Sequence, residues 1–236
     1  MTLPLMILLV ILAFLLIGVW RKLRELRRIE FIRAYTLPAG LFDRLRKQRP
    51  TLSIKDCQLV SHALRQYFLA YLKSGRQFVS MPSQVVDELW HEFILYTKNY
   101  EQFCQQAFGD FLHHTPAVVL GTAQQNNVGL RRCWWFACRE ENINPRDPTR
   151  LPLLFALDAK LKVADGFHYV ADCSSVRRQS AGKHTSGAVH CGGDFSSTSF
   201  DGGIEGFADA GNSADGSSGD GAGCGGVAAA EAAIES

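Results

Sequence analysis

The sequence predicts a mostly α-helical membrane protein with a single N-terminal transmembrane helix, a soluble multi-helix domain and a disordered Gly/Ser/Ala-rich tail. Three observations lead to this prediction: the chain starts with an uncharged apolar run, its middle repeats apolar residues at helical spacing, and its last quarter loses that spacing. The predicted units are a transmembrane anchor at 1–20, a basic juxtamembrane helical region at 21–50, a helical soluble domain at 51–173 and the acidic tail at 174–236.

The predicted anchor is the segment from Leu3 to Trp20, eighteen residues without a charge. At about 1.5 Å per residue it is roughly 27 Å long, close to the thickness of the hydrocarbon core of a bilayer. It lacks the positive n-region and the small-x-small cleavage site of a signal peptide. Residues 21–50 contain ten Lys or Arg and only three acids. The positive-inside rule then predicts an inner (cell) membrane protein with its N-terminus outside and its soluble domain in the cytoplasm.

The charge and cysteine patterns narrow the classes of partner and compartment. Residues 1–183 hold all 25 Lys and Arg against 15 acids, and the remaining residues hold eight acids. Because the basic excess is densest just after the apolar segment, we expect it to face the lipid bilayer, and we expect no nucleic-acid partner. The seven cysteines are irregularly spaced with no C-x-x-C pair, which fits a reducing cytoplasm better than a disulfide framework.

Capping residues and helix breakers give the helix boundaries of the soluble part. Ser53 stands three residues before Asp56, an N-cap arrangement, and Ser83 is the predicted N-cap of the following helix. The predicted helices after the anchor are a continuation to about 35, then 41–48, 53–75, 83–108 with a pause near 97, 127–142 and 153–161.

The densest group of polar residues lies on the helix that Ser83 begins, where Asp87 and His91 are four residues apart. Such residues are separated by only about 40° around a helix, so both side chains lie on one flank. His113 or His114 is the candidate third ligand, and we expect only one of them to join because adjacent side chains point in different directions. The combination predicts an N/O ligand set compatible with zinc or iron.

The alternative interpretation of this cluster is purely structural. An Asp four residues before a His is an ordinary helical pair, and His-His beside Thr-Pro is an ordinary turn. D-x-x-W-H alone also lacks the second histidine, one helical turn away, that makes H-E-x-x-H a metal motif.

Three cysteines of the soluble domain are predicted to be structural. Cys133 and Cys138 are about 140° apart around a helix, so we expect them to face different sides and pack in the core. Cys104 has no base in its local sequence that would activate a nucleophile.

The segment Val86-Asp87-Glu88-Leu89-Trp90-His91 resembles a V-D-x-x-W-H segment of the glycine-rich-domain proteins of plants and of uncharacterised bacterial membrane proteins akin to them. The residues that carry the resemblance further are Tyr100, Phe103-Cys104, Gly109, Phe111–His114, Pro116, Leu151–Asp158, Gly166–Tyr169 and Cys173. The resemblance covers roughly residues 80–173, includes the polar cluster and implies no activity. The tail is similarly Gly-rich, although here it is acidic and contains Ala.

These observations predict a single-pass membrane protein whose cytoplasmic helical domain is a binding or scaffolding module for a protein partner, since no strong catalytic motif is present. The alternative is a membrane-tethered metal-binding protein or metal-dependent hydrolase that uses Asp87, His91 and His113 or His114. A third hypothesis makes the basic juxtamembrane segment a lipid sensor, although the orientation of the anchor already accounts for its charges.

Overall fold

The computed structural model describes residues 2–114, 123–171 and 189–191, and this part of the chain is mostly helical, as predicted. Its elements are α1 (Thr2–Ala34), α2 (Leu41–Gln48), α3 (Ile54–Lys73), α4 (Gln84–Leu95), α5 (Thr97–Ala107), α6 (Ala123–Glu140), α7 (Leu153–Lys160), β1 (His168–Val170) and β2 (Val189–Cys191).

The two halves of α1 have different surroundings. The large apolar side chains between Leu5 and Trp20 are exposed, and the most apolar window of the helix has a mean hydropathy of 2.4 with none of it buried in the protein. The second half packs on the other helices, and Ile29 and Ile32 are buried there. The protein therefore has an N-terminal helix long and apolar enough to cross a membrane, and this helix runs without a break into the core.

The core is built around α3, which packs against α1, α2, α4, α6 and α7. A helix surrounded on most sides must be apolar around most of its circumference, and α3 buries eleven of its residues. Ile32 of α1 and Leu41 and Leu45 of α2 are fully buried in the same core cluster. The juxtamembrane region and the helical domain, which the sequence divides near residue 50, thus share one core.

Most helix ends lie where the capping residues predict them. Ser53 and Asp56 form a capping box at the start of α3, and Gly75 follows the end of that helix with a positive φ of 73°. Tyr96 separates α4 from α5, which is the predicted pause near Thr97. α6 begins at Ala123 instead of Asn127, because the polar residues that open it carry no apolar periodicity.

A buried carboxylate fixes the start of α4. Asp158 on α7 is 1% exposed and accepts hydrogen bonds from the Ser83 hydroxyl (2.7 Å) and from three backbone N–H groups. These belong to Gln84 (2.7 Å), Val85 (3.3 Å) and Phe167 (2.9 Å). Since the first N–H groups of a helix have no partner within the helix, the carboxylate satisfies donors that burial would otherwise leave unpaired.

The two short strands lie at the edge of the described structure. β1 and β2 pair in parallel, with His168 opposite Val189 and Val170 opposite Cys191. Residues 189–191 thus form a strand where the sequence predicts a disordered tail, because backbone pairing with β1 requires no hydrophobic periodicity. The rest of the predicted tail lies outside the described residues.

Candidate metal centre

α4 places Asp87 and His91 on one flank, at the edge of the core. Val86, Leu89 and Phe93 of this helix are fully buried, whereas the side chains of Asp87 and His91 are 23% and 51% exposed. The Asp87 Oδ2 atom lies 3.4 Å from His91 Nδ1. The pair predicted from the i, i+4 spacing is therefore formed, with its imidazole facing solvent.

The third residue of the group is His114. Its Nε2 atom lies 3.0 Å from Asp87 Oδ1, and its ring centroid is 4.3 Å from that of His91. The neighbouring His113 is exposed and packs against Phe111, with ring centroids 4.8 Å apart. The structure thus selects His114 and excludes His113 from the cluster, as expected for adjacent residues of an extended segment.

A buried hydrogen-bond chain holds the segment of His114 against α4. The Trp90 indole N–H donates to the Tyr100 hydroxyl (3.1 Å), and this hydroxyl donates to the Leu112 carbonyl (2.6 Å). The Trp90 ring also meets the His114 ring edge-on, with centroids 4.4 Å apart. Burial raises the pKa of Tyr100 well above its ordinary value, so the phenol stays protonated and keeps its role as donor. Trp90 and Tyr100 therefore fix the Leu112 carbonyl, and this contact positions His114, which follows two residues later.

The donor set fits one divalent transition-metal ion. One ligand atom from each of Asp87, His91 and His114 lies within 4.8 Å of the other two. An ion bound at about 2.0–2.2 Å keeps its ligand atoms roughly 3–4 Å apart. The two Asp–His contacts, one to each oxygen of the Asp87 carboxylate, are 3.4 Å and 3.0 Å long. Two imidazoles and one carboxylate are the donors of catalytic zinc sites and of non-haem iron sites.

The site is open on one side. His91 is half-exposed, whereas the His114 side chain is 14% exposed and lies against Trp90. The ligand atoms thus have protein on the side of α4 and His114, and solvent on the side of His91. A bound ion would keep coordination positions for water or for an exogenous ligand, which is what distinguishes a catalytic metal site from a closed structural one.

The buried cysteines of the described helices take no part in this cluster. Cys104, Cys133 and Cys138 are fully buried, as predicted for core residues, and burial raises the pKa of each thiol. A raised pKa disfavours the thiolate that nucleophilic or metal chemistry requires.

Three residues that support the site were not assigned this role from the sequence. In the sequence, Trp90, Tyr100 and Asp158 stand out only as residues that carry the resemblance to the glycine-rich-domain proteins. The sequence signal for this support is the tryptophan directly before His91, because the N–H group of a buried indole needs a hydrogen-bond acceptor. The acceptor itself, on the next helix, follows only from the fold.

The fold and the cluster define a class: a helical domain behind an apolar N-terminal helix, with two histidines and an aspartate gathered at the edge of its core. The chain belongs to the UCP032817-like family, whose model matches residues 27–195. The matched region starts after the apolar segment and includes all three residues of the cluster. No curated protein and no solved structure matches the chain.

Proposed function

We propose that this protein is a membrane-tethered metal-binding protein that holds one divalent transition-metal ion, zinc or ferrous iron, through Asp87, His91 and His114. The proposal rests on the position of His114: its Nε2 atom lies 3.0 Å from Asp87 Oδ1, and Asp87 also contacts His91. Asp87 and His114 are 27 positions apart in the chain, so tertiary packing and not helix periodicity brings them together.

The rigidity of the surroundings supports the same proposal. A surface Asp–His pair needs no buried support, yet here the Trp90–Tyr100–Leu112 chain fixes one histidine and the Asp158 cap fixes the start of the helix that bears the other two ligands. Metal sites need such pre-organised donors, because side chains held in place lose little entropy when the ion binds.

The reaction class that this donor set favours is metal-dependent hydrolysis. A zinc ion with three protein ligands and an open position lowers the pKa of its bound water toward 7 and can polarise a carbonyl or phosphoryl oxygen. On this chain, Asp87 would supply the anionic ligand, the two imidazoles the neutral ones, and the open side near His91 the route for a substrate.

The test is a metal titration of the full-length protein in mild detergent after chelator treatment. We expect one zinc or ferrous ion to bind per chain, and Asp87→Asn and His114→Gln to weaken binding by more than about 100-fold, since loss of a supporting residue alone costs about 10–100-fold. His113→Gln is the matched control, because it removes the adjacent imidazole that packs on Phe111. Equal affinity in all variants would leave the cluster as a hydrogen-bonded structural pair and end the proposal.

The membrane topology and the relationship to glycine-rich-domain proteins belong to the same proposal. The basic residues after the apolar helix support a cytoplasmic domain, and the V-D-x-x-W-H segment that carries the resemblance contains two of the three ligands. The partner-binding role predicted from the sequence stays a prediction, which a pulldown with and without residues 174–236 tests.

A further inference from the structure

A cleft lies where the basic part of α1 meets α5. The cleft has a volume of about 300 Å³. It is lined by Arg24, Arg27, Arg28, Phe31, Gln105 and Gln106. It shares no residue with the proposed metal centre, and its lining carries three positive charges and no acid.

Two of the guanidinium groups converge on the end of α5. Gly109 follows that helix with a φ of 78°, and a Cβ atom added there would lie 2.3 Å from an Arg28 guanidinium nitrogen and 3.9 Å from one of Arg24. Partial burial, followed by the positive charges of Arg24 and Arg76, lowers the pKa of the Arg28 guanidinium group. The fold therefore brings like charges together over a glycine that leaves room for them.

Several other basic residues of the domain have carboxylate partners. Arg33 and Lys73 pair with Glu140, Arg44 with Glu92, and Arg49 with Glu88 and Asp165. Within the described residues, Arg24, Arg27, Arg28 and Arg76 have no carboxylate within ion-pair distance. Guanidinium groups that converge without a carboxylate partner repel one another, and an anion bound between them would offset that repulsion.

The position of the cleft favours a lipid headgroup as the source of such an anion. Arg24 and Arg28 lie four and eight residues beyond Trp20, about 6 and 12 Å further along the helix axis. The headgroup layer of a bilayer is roughly 5–8 Å thick on each side, and arginine side chains reach several ångströms toward it. Arg24 also lies 5.3 Å from the ring centroid of Trp20, an aromatic residue of the type found at membrane interfaces.

We propose that the α1–α5 cleft binds the phosphate group of an anionic membrane phospholipid through Arg24 and Arg28, with the side-chain amides of Gln105 and Gln106 as neutral donors. Guanidinium groups suit this ligand because their forked N–H donors match phosphate oxygens in pairs. Nonspecific attraction to the membrane surface requires only net charge, whereas this site requires charge at two particular positions.

The test uses native mass spectrometry of the full-length protein in neutral detergent, titrated separately with phosphatidylglycerol, phosphatidylcholine and inorganic phosphate. We expect one tightly held phosphatidylglycerol per chain and weaker binding of phosphatidylcholine. The double substitution R24Q/R28Q should weaken phosphatidylglycerol binding at least about 10-fold, which corresponds to the loss of charge-assisted hydrogen bonds. R21Q/K22Q removes the same charge one turn nearer the membrane, outside the cleft lining, and should leave the affinity unchanged.

Two further measurements separate the site from a general charge effect or from misfolding. Without lipid, R24Q/R28Q should melt no lower than R21Q/K22Q, since it relieves repulsion between unpaired charges. R28K keeps the charge but loses the fork, so it should bind phosphatidylglycerol less tightly than the parent and more tightly than R24Q/R28Q. Displacement of phosphatidylglycerol by millimolar inorganic phosphate would assign a soluble phosphate as the ligand and would overturn the phospholipid as the occupant of the cleft. Equal weakening by both double substitutions, or no bound phosphatidylglycerol, would overturn the proposal.

Discussion

Replacing Tyr100 with Phe tests the buried chain that positions His114. The hydroxyl of Tyr100 accepts a hydrogen bond from the Trp90 indole and donates one to the Leu112 carbonyl, and the Tyr100 side chain is fully buried. The substitution removes one oxygen and leaves a buried donor and a buried acceptor unpaired. Each unpaired group costs about 1–3 kcal/mol, so we expect the free energy of unfolding to fall by about 2–6 kcal/mol.

The same substitution should weaken metal binding. Without the Leu112 contact the segment that bears His114 is free to shift relative to Asp87, and supporting residues of metal sites typically contribute about 10–100-fold in affinity. The assays are urea unfolding followed by tryptophan fluorescence and a zinc titration, both on the full-length protein in mild detergent.

Tyr71→Phe is the matched control for Tyr100→Phe. Tyr71 is half-buried and packs edge-on against Phe108 with ring centroids 5.0 Å apart, and it is not part of the Asp87, His91 and His114 cluster. Its variant should keep the parent's metal affinity. If Tyr100→Phe matches Tyr71→Phe in both assays, the hydrogen-bond chain does not position His114.

Two further predictions concern the support of the fold. Asp158→Asn should lower the free energy of unfolding by about 2–3 kcal/mol, because hydrogen bonds to a charged acceptor contribute about 1.5–3 kcal/mol and the amide accepts through one oxygen only; an unchanged urea midpoint would contradict this. Burial alone raises the pKa of Glu140, but the ion pairs with Lys73 and Arg33 outweigh it and hold that pKa below its ordinary value of 4.5. A carboxyl group whose pKa is lower in the folded state than in the unfolded state stabilises the fold above pH 4.5. This contribution is lost as the pH falls through the folded-state pKa. The difference in unfolding free energy between the parent and Glu140→Gln should therefore shrink below pH 4.5, and a constant difference would refute it.

The helices were predictable because local signals determine where they begin and end. Ser53 and Ser83 cap their helices through their own hydroxyls, and Gly75 and Gly109 follow helices with the positive φ that glycine adopts readily. The sharing of one core by α1, α2 and the later helices was not predicted. Periodicity shows which face of a helix is apolar, but not which other helix covers that face.

The candidate site was predictable only where helix geometry alone determines it. Helix geometry alone brings Asp87 and His91 together, whereas the choice between His113 and His114 depends on how the chain after α5 packs against Trp90. The donors to Asp158 lie more than seventy positions away for Ser83, Gln84 and Val85. No local pattern contains such a pairing, so the support of the site became visible only with the fold.

The metal centre is tested by the metal content of the full-length protein purified without added metal, measured by elemental analysis for the parent, His114→Gln and His113→Gln. We expect close to one zinc or iron per chain in the parent and in His113→Gln, and almost none in His114→Gln. A metal-free parent that also fails to take up zinc or ferrous iron, or equal metal in all three proteins, would contradict the assignment of Asp87, His91 and His114 as a metal centre.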